Sequence, residues 1–213
     1  TSLRIGLSFF GCPIGCIYFD SELSRGLDIA SRSASEAVDI PLSRTSGTSQ
    51  YHHFRVNSSY SFYVFTNYLM KIGFGGQYTD DALLNSEQST VIGMDRVSAL
   101  TSGAISGDKI WYVRGELNRN FSLLNNFSIT PYVYSAMGVA YLNRPTAAEN
   151  KETAAKSVGV GLQINNFNDY FYFDKNVTAK VEYSKTIATD KIELLSDVRL
   201  NKHHLMLMFN MDF

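Results

Sequence analysis

Apolar and polar residues change places with a period of two along most of this chain, the pattern of strands with one wet and one dry face. In the first stretch, residues 14–29, Ile17, Phe19, Leu23, Leu27 and Ile29 stand on one parity against Tyr18, Asp20, Glu22, Ser24 and Asp28. Phe54, Val56, Tyr60, Phe62 and Val64 then alternate with Arg55, Asn57, Ser59 and Ser61. Across a tight turn at Thr66-Asn67, Tyr68, Met70, Ile72, Phe74 and Tyr78 oppose Lys71, Gly73, Gly75 and Gln77. Trp111, Val113 and Leu117 alternate with Tyr112, Arg114, Glu116 and Asn118, and a short turn is expected at Asn125-Asn126. Ile129, Pro131, Val133, Met137, Val139 and Tyr141 face away from Thr130, Tyr132, Tyr134, Ala136, Gly138 and Ala140. Val158, Val160, Leu162 and Ile164 face away from Gly159, Gly161, Gln163 and Asn165. Val177, Ala179, Val181 and Tyr183 oppose Lys180 and Glu182, and Leu205, Leu207, Phe209, Met211 and Phe213 close the series. The pattern predicts about eight strands.

The connections alternate in length. Residues 30–50, 79–107 and 143–156 read as long polar loops, whereas the turns between them are short. Tilted strands of roughly ten residues suffice to cross a bilayer, and short turns at one end with long loops at the other fit an outer-membrane barrel. Lys180 and Glu182 in mid-strand demand a wet or mutually paired inner face, because an isolated buried charge costs several kcal/mol. The expected fold is therefore all-β, an antiparallel transmembrane β-barrel over residues 1–213. Residues 79–107 form a lumenal or extracellular loop long enough to require a functional explanation.

Composition narrows the chemistry. A formal charge of -1 without a basic block argues against a nucleic-acid binder, which needs a cationic field. Thirteen Tyr and fourteen Phe at a mean hydropathy of -0.10 describe amphipathic rings on a chain that is not oily, as a barrel requires. The chain starts at Thr1 with no leader pattern, so an export signal is expected upstream or already removed. Cys12 and Cys16 leave open a small loop disulfide, half a metal site, or two plain thiols. His52-His53 and His203-His204 are adjacent in strands, where neighbouring side chains point to opposite faces, so neither pair chelates through both rings. Ser98 and Ser135 lack evident His/Asp partners, and Gly73-Phe74-Gly75-Gly76 sits in a strand rather than before a helix. No catalytic residue, cofactor or metal is expected.

The connection from Ser86 to the strand after it holds the most specific residues: Ser86-Glu87-Gln88, then Gly93, Asp95, Arg96 and Val97, then Gly107-Asp108 and Arg114-Gly115-Glu116-Leu117. In order and spacing they resemble the signature of the two-partner secretion transporters of haemolysin-activator type. Pro131 to Gly138, which includes Tyr134, Ala136 and Gly138, resembles that family's Pro-x-Val-Phe-x-Asp-x-Gly strand. Val158-Gly159-Val160-Gly161-Leu162 resembles the strand after it, and Phe213 the C-terminal aromatic read by the barrel assembly machinery. The resemblance implies the last eight strands of a sixteen-stranded outer-membrane barrel, without the periplasmic domains that bind the secreted partner. It also implies a bacterial outer-membrane location, contact with outer-membrane lipid, and export of a partner polypeptide through the lumen. Asp20, Glu22, Lys71, Arg114, Glu116, Lys180 and Glu182 would line that polar conduit.

Two departures from the family pattern coincide. Val97-Ser98-Ala99-Leu100 stands where the family has Val-Arg-Gly-Tyr, and Ala136 stands where it has the strand aspartate. The resemblance implies that this Arg and Asp form the ion pair holding the loop in the lumen. Losing both leaves no orphaned charge, and the loop is expected to be held through Asp95 or Arg96, or not at all. The alternative is a free-standing eight-stranded barrel whose long loops serve adhesion or surface binding.

Overall fold

Alternation fixes the sidedness of each strand, and neighbours then pair so that like faces coincide. The computed structural model describes residues 2–27, 44, 46–98, 104–123, 128–147, 149–165, 177–187 and 203–211. Its strands are β1 (Ser2–Gly11), β2 (Cys16–Gly26), β3 (His52–Phe65), β4 (Tyr68–Tyr78), β5 (Ser89–Thr90), β6 (Ser106–Gly107), β7 (Lys109–Arg119), β8 (Phe121–Ser122), β9 (Ser128–Tyr141), β10 (Glu152–Asn165), β11 (Val177–Ile187) and β12 (His203–Met211). All but β5, β6 and β8 form one antiparallel meander in chain order, β1-β2-β3-β4-β7-β9-β10-β11-β12, with β8 adding to β9. The sheet is open: among the described residues β1 pairs with β2 alone and β12 with β11 alone.

Burial is inverted relative to a water-soluble protein. Leu3, Ile5, Leu7, Phe9, Leu23, Phe54, Phe74, Val133, Val160, Leu205, Leu207 and Phe209 are exposed on the outer face, whereas Arg114, Glu116, Lys180 and Glu182 are buried on the inner one. A continuous apolar exterior of this kind fits lipid and not water. The pairing Lys71↔Glu116, Arg114↔Ala136, Gly161↔Glu182 and Glu22↔Arg55 keeps polar parities on one side through the sheet.

Three details differ from the expectations. The meander holds nine long strands among the described residues, because Ser2–Gly11 is itself a strand with Leu3, Ile5, Leu7 and Phe9 outward and Arg4, Gly6 and Ser8 inward. Residues 152–156 belong to β10 rather than to a loop; β9 runs on to Tyr141, and Glu152↔Tyr141 through Lys156↔Met137 continue the ladder beside it. Cys12 and Cys16 are joined in a disulfide across the β1–β2 turn, which settles the open alternatives for that pair. Thr66-Asn67 forms the expected turn between β3 and β4, while Asn125-Asn126 lies outside the described residues.

Candidate functional site: the lumenal loop

The connection from β4 to β7 folds inward. Its polar composition hides buried aliphatic residues: Val91, Ile92, Val97 and Ile105 pack with Tyr112, Tyr132, Tyr134, Ala136, Ala140 and Ala155 of β7, β9 and β10, and Leu83 is buried as well. Each buried aliphatic side chain contributes about 1.5–3 kcal/mol, which sets how firmly the loop rests on the wall. The loop braces itself through the short β5–β6 ribbon and a turn in which Arg96 N donates to Gly93 O. Gly93 N and Val97 N bond to Val97 O and Val91 O, which presents residues 95–98 as a tip. Gly138 permits this approach: a Cβ there would lie 3.1 Å from Val91 Cβ and from Trp111 O.

Two stations hold the loop to different parts of the wall. At the first, Glu87 pairs with Arg4 of β1 (3.3 Å), and its carbonyl accepts from Arg55 of β3 (2.9 Å) and Gln77 of β4 (3.3 Å). Ser89 donates to Gln77 (2.6 Å), and Gln88 donates to Asp108 (3.2 Å). Ser86 is exposed at the head of this segment. At the second station the tip meets β7, β9 and β11. Asp95 pairs with Lys180 (3.2 Å), and Arg114 donates to the Arg96 carbonyl (3.1 Å). The Ser98 hydroxyl bonds to Glu182 and Tyr134, and Ser184 donates to the Ser98 carbonyl (2.9 Å). The Arg96 side chain serves the loop itself, donating to Thr90 O and lying 5.0 Å from the Tyr112 ring centre.

Under the tip lies a closed ionic network. Arg114 reaches Glu116 and Glu182, each at 2.6 Å, and lies 3.7 Å from the Tyr134 ring centre; Tyr132 donates to Glu182 at 2.7 Å. Lys180 joins Asp95 to Glu116 at the edge of the same network. Glycines on β10 make room for the tyrosines, since a Cβ on Gly161 would meet the Tyr132 ring at 2.0 Å. Burial disfavours charge on Asp95, yet the nearby Lys180 and Lys71 more than offset it and hold its carboxyl below the usual range. Two-thirds of the Asp95 side-chain surface is open, so this pair is screened more than the Arg114–Glu182 pair behind it.

The loop is therefore held without the Arg–Asp pair of the family pattern. Asp95 makes one contact, to Lys180; Arg96 contributes its carbonyl to the wall rather than its charge. Ser98 itself, at the departed position, makes the deepest contact, and Ala136 is the small residue cross-strand from Arg114. Arg114, Glu116, Lys180 and Glu182 are buried beneath the tip and do not line open lumen with the loop in place. Gly107 lies in β6, and Asp108 is fully buried beside the end of β9. Phe213, like Ala99 and Leu100, falls outside the described residues. Sequence reasoning passed over Arg4, Arg55, Gln77, Tyr132 and Ser184 as loop contacts. Their lumenal parity was readable, but nothing in the sequence says which of them a loop residue reaches. Among the described residues, no group of three or more His, Cys, Asp or Glu is placed to hold a metal ion.

Comparison with known proteins accords with this geometry. The family described as haemolysin secretion/activation protein ShlB/FhaC/HecB matches residues 1–164. Among solved structures, CdiB from Escherichia coli superposes with a TM-score of 0.72 at 18% identity, over 98% of this chain and 35% of CdiB. At that identity the likeness is one of fold, and the chain spans about a third of CdiB's length. No curated protein matches the chain. With the family matched over most of the sequence, the chain belongs to the haemolysin secretion/activation protein family ShlB/FhaC/HecB, whose place is the Gram-negative outer membrane.

Proposed function

We propose that this chain forms the C-terminal barrel region of a transporter that exports a partner polypeptide across the outer membrane, with the β4–β7 loop as its internal gate. The observation that carries the reading is the loop's path: it runs along the inner face from Arg4, Arg55 and Gln77 on one part of the wall to Lys180, Glu182 and Ser184 on another. A polypeptide cannot share that space with the docked loop, so export requires the tip to leave. Once it leaves, Arg114, Glu116, Lys180 and Glu182 become the polar wall along which an extended chain slides. Charges of both signs side by side give such a wall no net attraction strong enough to trap cargo. Lipid covers the outer parity, and the barrel assembly machinery reads the terminal strand through Phe213. The open sheet supports a longer barrel over a closed eight-stranded adhesin, which would need β1 beside β12.

The test is a reversible staple at the tip. Ser184 donates to the Ser98 carbonyl at 2.9 Å, which makes residues 98 and 184 neighbours, and Ser98→Cys with Ser184→Cys is the staple to build. In the full-length protein, oxidation is expected to stop export and reductant to restore it, with wild type treated alike to control for Cys12–Cys16. Export at the wild-type rate by the oxidised variant would sink the gate. Absence of any exported polypeptide from the unstapled protein would sink the transporter reading itself.

A further inference from the structure

Basic residues on the outward parity of the described strands are not scattered. Arg25, His52, Lys109, Lys156, Lys185 and His203 lie toward one end of the sheet, and among the described residues Arg119 alone lies toward the other. The first end carries the connections 27–51, 79–108 and 188–202, whereas the second is closed by the Thr66-Asn67 turn and the disulfide-bridged turn between β1 and β2. Membrane barrels keep their short turns on the periplasmic side and their long loops outside, so these six residues mark the outer leaflet.

Register and tilt bring the six to one depth. Relative to the cross-strand row of Lys109, Tyr141 and Glu152, Arg25 and His52 stand two residues above, Lys156 four below, and Lys185 and His203 six below. From β3 to β12 this is a drift of eight residues, about 26 Å, across six strand spacings, about 29 Å. The resulting angle of about 42° lies within the strand tilt of membrane barrels, about 35–45°. The opposite strand ends drift in the same sense, Gly11 of β1 lying six residues below that row and Met211 of β12 fourteen. Strand tilt therefore levels the six side chains in the membrane plane. Arg119 follows Lys109 by ten residues on β7, about 25 Å along the membrane normal at this tilt, which is the height of a barrel's apolar band. Each lies against a ring at its own border, Lys109 4.5 Å from the centre of Tyr78 and Arg119 5.3 Å from that of Tyr68.

Three of the six crowd together. Lys156 is opposite Ile187 and Lys185 opposite Val158, which makes the two lysines diagonal neighbours, about 7–8 Å apart at their roots, and Lys185 is opposite His203. Lys109 is neutralised by Asp80 at 2.8 Å, but among the described residues neither Lys156 nor Lys185 has an acidic or hydrogen-bonding partner, and both are exposed. Two ammonium groups at the border of an apolar band repel one another unless an anion sits between them. Beside Lys156 the outer wall dips into a depression of about 210 Å³, walled by Val113, Met137 and Ile187 and floored by the small pair Gly115 and Ser135. An apolar hollow with cations at its rim suits a molecule that is hydrocarbon at one end and anionic at the other. We infer that Lys156, Lys185 and His203 bind the phosphate group of an outer-leaflet lipid, one of whose acyl chains lies in the depression over Gly115 and Ser135. The site rests on the chain lying in the outer membrane with its long connections outside, and not on export, so binding is measured without cargo.

The full-length protein in detergent, titrated with phosphorylated lipid A or with the same lipid stripped of its phosphates and read by native mass spectrometry, tests the site. Each lysine is expected to strengthen binding about fivefold, so Lys156→Gln with Lys185→Gln should weaken the phosphorylated lipid about thirtyfold and leave the phosphate-free lipid unchanged. Ser135→Leu, which fills the depression, should weaken both lipids alike. Arg119→Gln, at the opposite border, should change neither. All variants are compared as folded barrels, shown by heat-modifiable migration in detergent gels. Wild-type affinity in the folded double lysine variant, or an equal loss in Arg119→Gln, would overturn the site. Displacement of the lipid by millimolar inorganic phosphate would assign the lysines to a free anion and overturn the lipid reading, and unchanged binding in Ser135→Leu would overturn the seat of the acyl chain.

Discussion

Arg114 of β7 and Glu182 of β11 meet at 2.6 Å although β9 and β10 lie between their strands, so the inner face curves enough to bring side chains three strands apart into a bonded pair. Ser98 of the loop joins the same carboxylate, and the loop's position thereby depends on the wall's ionic pairing.

Truncating that carboxylate should loosen both. Glu182→Ala leaves Arg114 with Glu116 as its one carboxylate and removes the acceptor for Ser98 and Tyr132, at a cost on the order of 3 kcal/mol. The midpoint of heat-induced unfolding in detergent gels is expected to fall, and Ser98→Ala added to Glu182→Ala should cost less than the two single changes combined. Strict additivity would mean that Ser98 and Glu182 are not coupled.

The paired departures can be reversed. Ser98→Arg alone sets a second guanidinium beside Arg114, and Ala136→Asp alone buries a new carboxylate cross-strand from it. Each single change is expected to destabilise by about 1–3 kcal/mol, and the double change to recover most of that loss through a charge-assisted pair. A double variant no more stable than the sum of the singles would show that residues 98 and 136 do not face one another as the family pattern implies.

Acid should release the tip through Asp95. Its carboxyl is held below the ordinary value, so its contribution to docking is fully present above pH ~4 and is lost as the pH falls below that through the lowered folded value. Channel openings are expected to be insensitive to pH between about 6 and 8 and to increase below about 4, and Asp95→Asn should be more open at neutral pH with a weaker acid response. An acid response in Asp95→Asn equal to that of wild type would assign the titration elsewhere.

Crowding at Gly161 offers a packing test. A methyl group there would meet the Tyr132 ring at 2.0 Å, at the same hydroxyl end that Glu182 holds. Gly161→Ala is expected to destabilise by about 1–3 kcal/mol, and Tyr132→Ala in the same chain to relieve part of the clash. If Gly161→Ala unfolds at the wild-type temperature, the ring is not seated on the glycine.

The strands and their faces were readable because a period of two with apolar residues outward needs only local sequence. Leu3, Ile5, Leu7 and Phe9 carry that signal as plainly as the later strands, so β1 was legible although the expected first strand began at Ile14. What holds the loop was not legible. Ser98 and Glu182 are 84 residues apart, and Arg44 and Asp108 are 64 apart, each pair joined by the curvature of the wall and the folding of loops onto it rather than by any spacing along the chain. Arg44 in particular sits among serines and threonines that read as a solvated loop, yet it is buried. Val91, Ile92, Val97 and Ile105 were hidden by the same averaging, aliphatic residues diluted in a polar stretch.

The two stations of the lumenal loop also have a mechanical meaning. With Glu87 fixed to β1, β3 and β4 and the tip fixed to β7, β9 and β11, the loop acts as a tie rod across the cross-section, opposing any flattening of the wall. Under the proposed gate, departure of the loop would remove the rod at the same moment that it clears the path. The cross-section of the unblocked barrel then becomes compliant, able to turn oval around whatever fills it, so that the bore adjusts to its contents instead of presenting a fixed diameter.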